Sequence, residues 1–242
     1  DVFAAANQFV RSAAPAYALV TIGLDARPVR CENGLMLTPD CTLAQSPALD
    51  TLVLPGGAGS RVVDRDPDLI AWLRERSGDT RRMVSICTGL YLLAATGMLA
   101  GRCVTTHWQW AEDLRRRYPE LRMQADQLFV RDPPFHTSGG LTAGLDLALA
   151  LVEDDLGADA ALAVARELVM YMKRPGNQTQ FSVPLAAQTQ GSGRLAGLTE
   201  WLLAHLDQDL GVERLADATS MSARHFRRVF AETFDTTPAA HV

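Results

Sequence analysis

The 242-residue chain is predicted to fold as an α/β domain, a mostly parallel sheet with helices on both faces, followed by a small all-α helix-turn-helix domain. Three observations predict this. Buried-strand runs alternate with amphipathic helical runs through the first two-thirds of the chain, which is the pattern of a parallel sheet covered on both sides. Residues 82–86 read as a buried strand that passes abruptly into a helical run after Cys87. Residues 215–230 read as a helix, a tight turn and a second helix.

The elements follow in order. Residues 1–7 already have helical character, with neither an initiator Met nor a strand before them, and residues 237–242 stop inside what reads as a new helix. The chain is therefore expected to be cut at both ends. Residues 17–23 are a strand candidate, with short ones near 29–31 and 35–37. Residues 51–55 form a buried strand leading into Gly56-Gly57. Residues 68–77 are an amphipathic helix that Gly78 ends. The strand before Cys87 and a helix over 88–96 come next, then a strand over 103–106 and a helix over 108–117, stopped by Pro119. Residues 127–131 and 136–138 pair as short strands. Two long Ala/Leu/Val-rich helices span 141–156 and 158–172. Their stripes (Ala148, Leu151 and Val152; Leu162, Val164, Leu168 and Val169) are expected to pack in the core. Pro175 and Gly176 end the second helix, and a helix over 195–206 opens the small domain. The expected domains are 1–174 and 194–242, joined by a polar linker over 175–193.

A hydrophobic content of 48% supports a sizeable core, and no apolar run reaches membrane-spanning length. The four cysteines, Cys31, Cys41, Cys87 and Cys103, form no Cys-x-x-Cys pair and show no zinc-like spacing with histidine. No metal or cofactor is expected. A reduced, cytoplasmic protein is the simplest account. The net charge of −5 does not favour nucleic acid as a whole-molecule field, so any binding of DNA must come from a local basic stripe.

In open α/β sheets ligands bind beyond the carboxyl ends of the strands. Gly56, Gly57, Cys87 and His107 all follow strands, so they are expected to line one crevice together with Thr88 and Trp108. A strand-to-helix elbow aims the Cys87 side chain at that crevice. The helix dipole there is expected to favour thiolate. His107 is a candidate base for a Cys87 nucleophile, and backbone N–H groups near Gly57 and Thr88 are a candidate oxyanion pocket. The other reading keeps Cys87 as a pocket-lining residue and His107 as a hydrogen-bonded structural one. Pocket is preferred over catalysis. Trp108 and Trp110 either wall the pocket or pack in core. His136 and Asp146 are expected to be structural.

In the small domain, Ser222 is a good N-cap. Phe226, Val229 and Phe230 form one buried stripe with Leu215, Ala216 and Met221 beneath it. Arg224, Arg227 and Arg228 form the opposite stripe, and no acid falls between Ser222 and Phe230. Residues at the start of a second helix of this kind face base edges in the major groove. Ser222, Ala223, Arg224, Arg227 and Arg228 are therefore the candidate DNA contacts. The alternative is a solvated face on an ordinary helical pair.

The motifs Leu-Pro-Gly-Gly (54–57), Ile-Cys-Thr-Gly (86–89), Val-Thr-Thr-His-Trp (104–108), Thr-Ser-Gly-Gly-Leu-Thr-Ala-Gly-Leu-Asp (137–146), Arg-Pro-Gly-Asn-Gln-Thr-Gln-Phe-Ser (174–182) and Met-Ser-Ala-Arg-His-Phe-Arg-Arg-Val-Phe (221–230) occur in this order. Together they resemble the AraC/XylS-type regulators that carry a PfpI/ThiJ-like, class I glutamine amidotransferase-like amino-terminal domain, the GlxA-like group. The resemblance implies a flavodoxin-like, ligand-sensing and dimerising domain that drives a DNA-binding domain with two helix-turn-helix units, of which the first is present. It implies double-stranded DNA and a small-molecule effector, an amino acid or quaternary amine, as partners, with a homodimer as the working form. Related hydrolases have His directly after the cysteine, where this chain has Thr88. Many members also carry an acid on a loop that would precede Asp1. The same motifs also resemble isonitrile hydratases of the superfamily, whose cysteine adds to a small carbon electrophile. Those enzymes lack the carboxy-terminal helical domain.

Overall fold

The computed structural model describes residues 1–10, 14–171 and 210–234, together with residues 178, 195, 198, 201, 202, 205, 237 and 238. The chain divides into two compact units, Asp1–Gln178 and Thr179–Val242. The expected linker lies outside the described residues except for Gln178. Of the expected 195–206 helix, only Leu195, Leu198, Trp201, Leu202 and His205 are described.

The first unit is built on a four-stranded sheet. β5 (Thr51–Leu54) pairs in parallel with β6 (Arg82–Ile86), β6 in parallel with β10 (Phe135–Ser138), and β10 antiparallel with β9 (Phe129–Asp132). Smaller two-stranded pairings flank it. β1 (Ile22–Gly23) runs parallel to β4 (Cys41–Thr42), β2 (Val29–Arg30) forms a hairpin with β3 (Met36–Leu37), and β7 (Cys103–Val104) runs parallel to β8 (Arg122–Met123). Alternation along each strand divides the core. Leu52, Leu54, Met83 and Phe135 face α2 (Pro67–Ser77), α3 (Leu90–Ala95) and α4 (Trp108–Arg117), burying Leu73, Leu90, Leu93 and Leu114. Val84 and Ile86 point the other way, onto Leu147 and Leu151 of α5 (Leu141–Leu156). Beyond them, α1 (Val2–Ala6), α5 and α6 (Ala158–Glu167) share an Ala/Val-rich core through Ala5, Ala6, Val152, Ala161 and Val164. The architecture is thus the flavodoxin-like α/β sandwich.

Local signals explain the element ends. The Asp66 carboxylate accepts the Leu69 N–H at 3.0 Å and caps α2, with Pro67 in the first turn. α4 and α5 occupy the predicted spans. Four expectations need correction. The strand expected over 17–23 is paired only at Ile22–Gly23, because its partner β4 offers just two residues of ladder. The strand expected over 103–106 ends at Val104, where β8 runs out, and β8 itself gave too short a run to be read. The second long helix ends at Glu167, not 172, because Val169 turns to φ 53; a β-branched residue there cannot continue a right-handed helix. That turn leaves Val169 exposed, and Leu162 is exposed as well, so neither packs in the core as expected.

The far end of the sheet from Cys87 is fixed by a guanidinium. The Arg82 side chain is 5% exposed and bonds the Asp155 carboxylate at the end of α5 and the Thr51 hydroxyl at the start of β5. Asp155 also accepts from Tyr17 Oη at 2.9 Å and Arg81 at 3.1 Å. Burial pushes the Asp155 carboxyl up, but the bonds from Arg82, Tyr17 and Arg81 outweigh it and hold it below the usual range. His136 is buried on β10 with Nδ1 unpartnered. Burial and then Arg82 hold it neutral, below its usual pKa.

Among its described residues the second unit contains a helical pair. α7 (Val212–Ala218) and α8 (Ala223–Phe234) enclose Leu215, Ala216, Phe226 and Phe230, with Met221 and Val229 partly buried against them. The Phe226 and Phe230 rings meet at 5.5 Å. The Ser222 hydroxyl accepts the His225 N–H at 3.3 Å and caps α8. Ser220 takes φ 54 in the turn between the helices.

Candidate ligand crevice and DNA-reading helix

β6 carries the chain to Ile86, and Cys87 turns it at φ 56 into a short 3-10 segment that becomes α3. Such a backbone is strained for a side-chain-bearing residue and holds the thiol at the tip of the strand. The Gly56 loop packs directly on this tip. A Cβ at Gly56 would lie 2.9 Å from Cys87 Cβ and 3.0 Å from the Ile86 carbonyl, so only glycine permits this approach. The Thr106 hydroxyl donates to the Cys87 carbonyl at 2.8 Å and ties the elbow to the segment after β7.

Two chemical expectations change here. The Cys87 thiol is pushed up, not down. Burial dominates, and the pull of Thr88 hydrogen bonds and of Arg61 does not overcome it. The short 3-10 entry and the six-residue α3 give a weak dipole. Nor is the Gly57 N–H available as an oxyanion donor. It donates to Thr88 Oγ1 at 2.8 Å, and Ser60 Oγ donates to the Gly57 carbonyl at 2.7 Å. The Thr88 side chain closes the corner that a catalytic site would leave open.

His107 is the N-cap of α4, and its Nδ1 accepts the Gln109 N–H at 3.4 Å. Burial holds its pKa below the usual value. It stacks on Trp108 at 5.6 Å, and a Cβ at Gly140 would lie 3.5 Å from its ring. Among the described residues no hydrogen bond joins His107 to Cys87. Trp108 is half-exposed. Trp110 packs against the core beside α3, with the Arg61 guanidinium 4.2 Å above its ring. His136 pairs with Val84 in mid-strand, and Asp146 is buried on α5.

Sequence reasoning missed two charged residues here. Glu32, next to the β2–β3 turn, accepts the Ala58 N–H at 2.5 Å. Arg61 lies in the 3-10 segment Gly59–Arg65. Both act electrostatically on Cys87, Arg61 lowering and Glu32 raising its pKa. Neither sits in a recognisable motif, and tertiary packing alone brings them to the elbow.

On α8, Arg224, Arg227 and Arg228 are exposed and Ala223 is half-buried. No acid falls between Ser222 and Phe230, but acids from outside that span reach the arginines. Arg228 bonds Glu232 one turn on at 2.8 Å, and Arg227 reaches Glu213 of α7 at 3.6 Å. Among the described residues no His/Cys/Asp/Glu cluster could hold a metal, and no helix is long and apolar enough to cross a membrane.

A doubly wound sheet with a cysteine at positive φ on its central elbow defines an elbow-cysteine α/β domain, here continued in the same chain by a helix-turn-helix. The chain belongs to the DJ-1/PfpI family, which matches residues 1–154, and residues 202–242 match the bacterial regulatory helix-turn-helix proteins of the AraC family. Over 223 residues it is 29% identical to the HTH-type transcriptional regulator GbdR of Pseudomonas aeruginosa, covering 91% of this chain and 60% of that protein. Over 145 residues it is 37% identical to the isonitrile hydratase of Pseudomonas putida, covering 60% of this chain and 62% of the enzyme. A THiJ/PfpI family protein from Pseudomonas syringae superposes with a TM-score of 0.58 at 26% identity, over 64% of each chain. The chain therefore spans about 60% of the length of these curated relatives.

Proposed function

We propose that this chain is the sensing part and first DNA-reading unit of a cytoplasmic, homodimeric transcriptional regulator. A small molecule binds the crevice formed by Gly56, Gly57, Cys87, Thr88, His107 and Trp108, and thereby changes how Ser222, Ala223, Arg224, Arg227 and Arg228 engage double-stranded DNA. One observation carries the reading: a capped helix with a fully buried aromatic back, Phe226 and Phe230, and an exposed arginine front stands in one chain with the elbow. Glu32 and Arg61 place opposite charges near Cys87, which suits an amino acid or a betaine-like quaternary amine.

The direct test is fluorescence anisotropy of a labelled duplex from the protein's own upstream region. Arg224→Ala combined with Arg227→Ala is expected to abolish sequence preference. Unchanged binding would sink the DNA reading.

The enzyme reading retains one supporting observation, the strained Cys87 elbow, beside the 37% identity to the isonitrile hydratase over 145 residues. The raised thiol pKa and the occupied Gly57 N–H weigh against it. Alkylation of Cys87 by iodoacetamide is expected to keep accelerating above pH 9.0, the ordinary thiol value. Isonitrile turnover that Cys87→Ser abolishes would overturn the sensor assignment.

A further inference from the structure

We propose that Gln178 is a carboxamide latch. It fastens the chain leaving the first unit to the segment bonded to the Cys87 elbow, so that events in the crevice govern whether the latch is closed. The inference rests on the sensor reading above and adds to it the residue that carries the signal.

Gln178 is the last residue of the first unit and lies in a polar run, yet it is only 6% exposed. Its side chain fills a socket of fitted polarity. Nε2 stands 3.1 Å from Thr105 Oγ1, 2.9 Å from the Thr106 carbonyl, 2.9 Å from the Ala125 carbonyl and 2.8 Å from the Gln127 carbonyl. Oε1 accepts the N–H of Trp108, the first residue of α4, at 3.2 Å. The Gln178 N–H donates to the Asp126 carbonyl at 2.7 Å. Four acceptors around one nitrogen and a donor facing one oxygen select a primary carboxamide. A carboxylate of the same shape would confront the three carbonyl oxygens with a charge and no proton to share. The socket also depends on a glycine. A Cβ at Gly139 would lie 2.3 Å from Gln178 Cδ and Nε2, so any side chain there evicts the glutamine.

The socket adjoins the residues of the proposed ligand site. Thr106 donates its hydroxyl to the Cys87 carbonyl and offers its own carbonyl to Gln178. Trp108, beside His107, gives Gln178 its backbone N–H. A ligand that shifts the elbow or the His107–Trp108 turn therefore moves two direct partners of Gln178. By linkage, releasing Gln178 must in turn alter the elbow.

The test uses this 242-residue chain with Cys31, Cys41 and Cys103 changed to Ser, so that Cys87 is its single thiol. Iodoacetamide serves as both probe and crevice occupant. Q178E, Q178A and G139A are each expected to raise amide exchange at residues 105–108 and 124–127 by about tenfold, with Q178N intermediate. Each is also expected to change the rate of Cys87 alkylation by about threefold or more. Conversely, alkylated parent protein is expected to exchange its Gln178 amide faster or slower than unmodified protein. Parent-like exchange in both Q178E and G139A would overturn the latch. Faster exchange with an unchanged alkylation rate would reduce Gln178 to a packing residue and overturn the coupling. Anisotropy on the same samples separates the two layers. Loss of all DNA binding in the parent protein strikes the sensor reading, whereas intact DNA binding with uncoupled exchange strikes the latch alone.

Discussion

Arginine is used in opposite ways in the two units. Arg82 is 5% exposed and bonded to Asp155 and Thr51, whereas the Arg227 and Arg228 side chains are 57% and 58% exposed and meet surface groups, Glu213 for Arg227 and Glu232 and His225 for Arg228. The first guanidinium holds β5, β6 and α5 together at the base of the sheet. The others lie on a helix whose fold is already secured by Phe226 and Phe230, so their charge remains usable. The count of basic residues says nothing about which role each plays. Burial and partner chemistry decide it.

The comparison can be broken most severely at Arg82. Arg82→Met leaves Asp155 largely buried with a main partner gone, and chemical denaturation is expected to show a loss of about 3 kcal/mol. DNA affinity of the folded variant should be unchanged. A parent-like stability would mean that the pair at the sheet base is incidental.

The complementary change, Arg224→Ala with Arg227→Ala, should cost about 30-fold to 10,000-fold in affinity, at about 1–3 kcal/mol for each of the two guanidinium groups removed from a base edge. It should also flatten the salt dependence of binding. The melting temperature should barely move, as for other exposed substitutions. A large drop in thermal stability would erase the contrast between the units.

Ser222→Ala should cost about 1 kcal/mol through the lost cap of α8. That loss should appear in the second unit alone, followed by the fluorescence of Trp201.

The smallest effect sharpens the comparison by pH. His136 is held neutral by burial and Arg82, so its folded pKa lies below the ordinary 6.5. The unfolded chain therefore takes up the proton first. The stability this group contributes is complete above 6.5 and drains away as pH falls through the folded value. Asp50, held at about 2 chiefly by its hydrogen bond from Arg81, adds a second decline between the ordinary 3.8 and about 2. A urea-midpoint profile of His136→Phe should lose part of the upper limb, leaving the share of His107, whose pKa burial also holds down, and keep the lower one.

Much of this was legible in the chain. The spans of α4 and α5 follow from 3.6-residue periodicity, and the Cys87 elbow from an abrupt change of period. The core of the small unit follows from the spacing of Phe226, Val229 and Phe230. What stayed hidden depends on three-dimensional neighbours. Glu32 and Arg61 reach the elbow from a turn and a 3-10 segment without periodic signature. The raised pKa of Cys87 comes from burial, and the loss of an oxyanion donor from where one threonine hydroxyl points. Gln178 was invisible because a buried carboxamide in a polar stretch has the same composition as a solvated one.

Glu213 and Glu232 already occupy two guanidinium groups of α8. In the proposed complex with DNA they would act as internal substitutes for phosphate. A duplex would gain those arginines only by exchanging one anion for another, and the displaced carboxylates would then repel its backbone. Sequence-blind contacts would gain little from that exchange, whereas directional hydrogen bonds to a guanine edge would recover what is given up. On that reading the acids beside α8 would discount random DNA more than the right site.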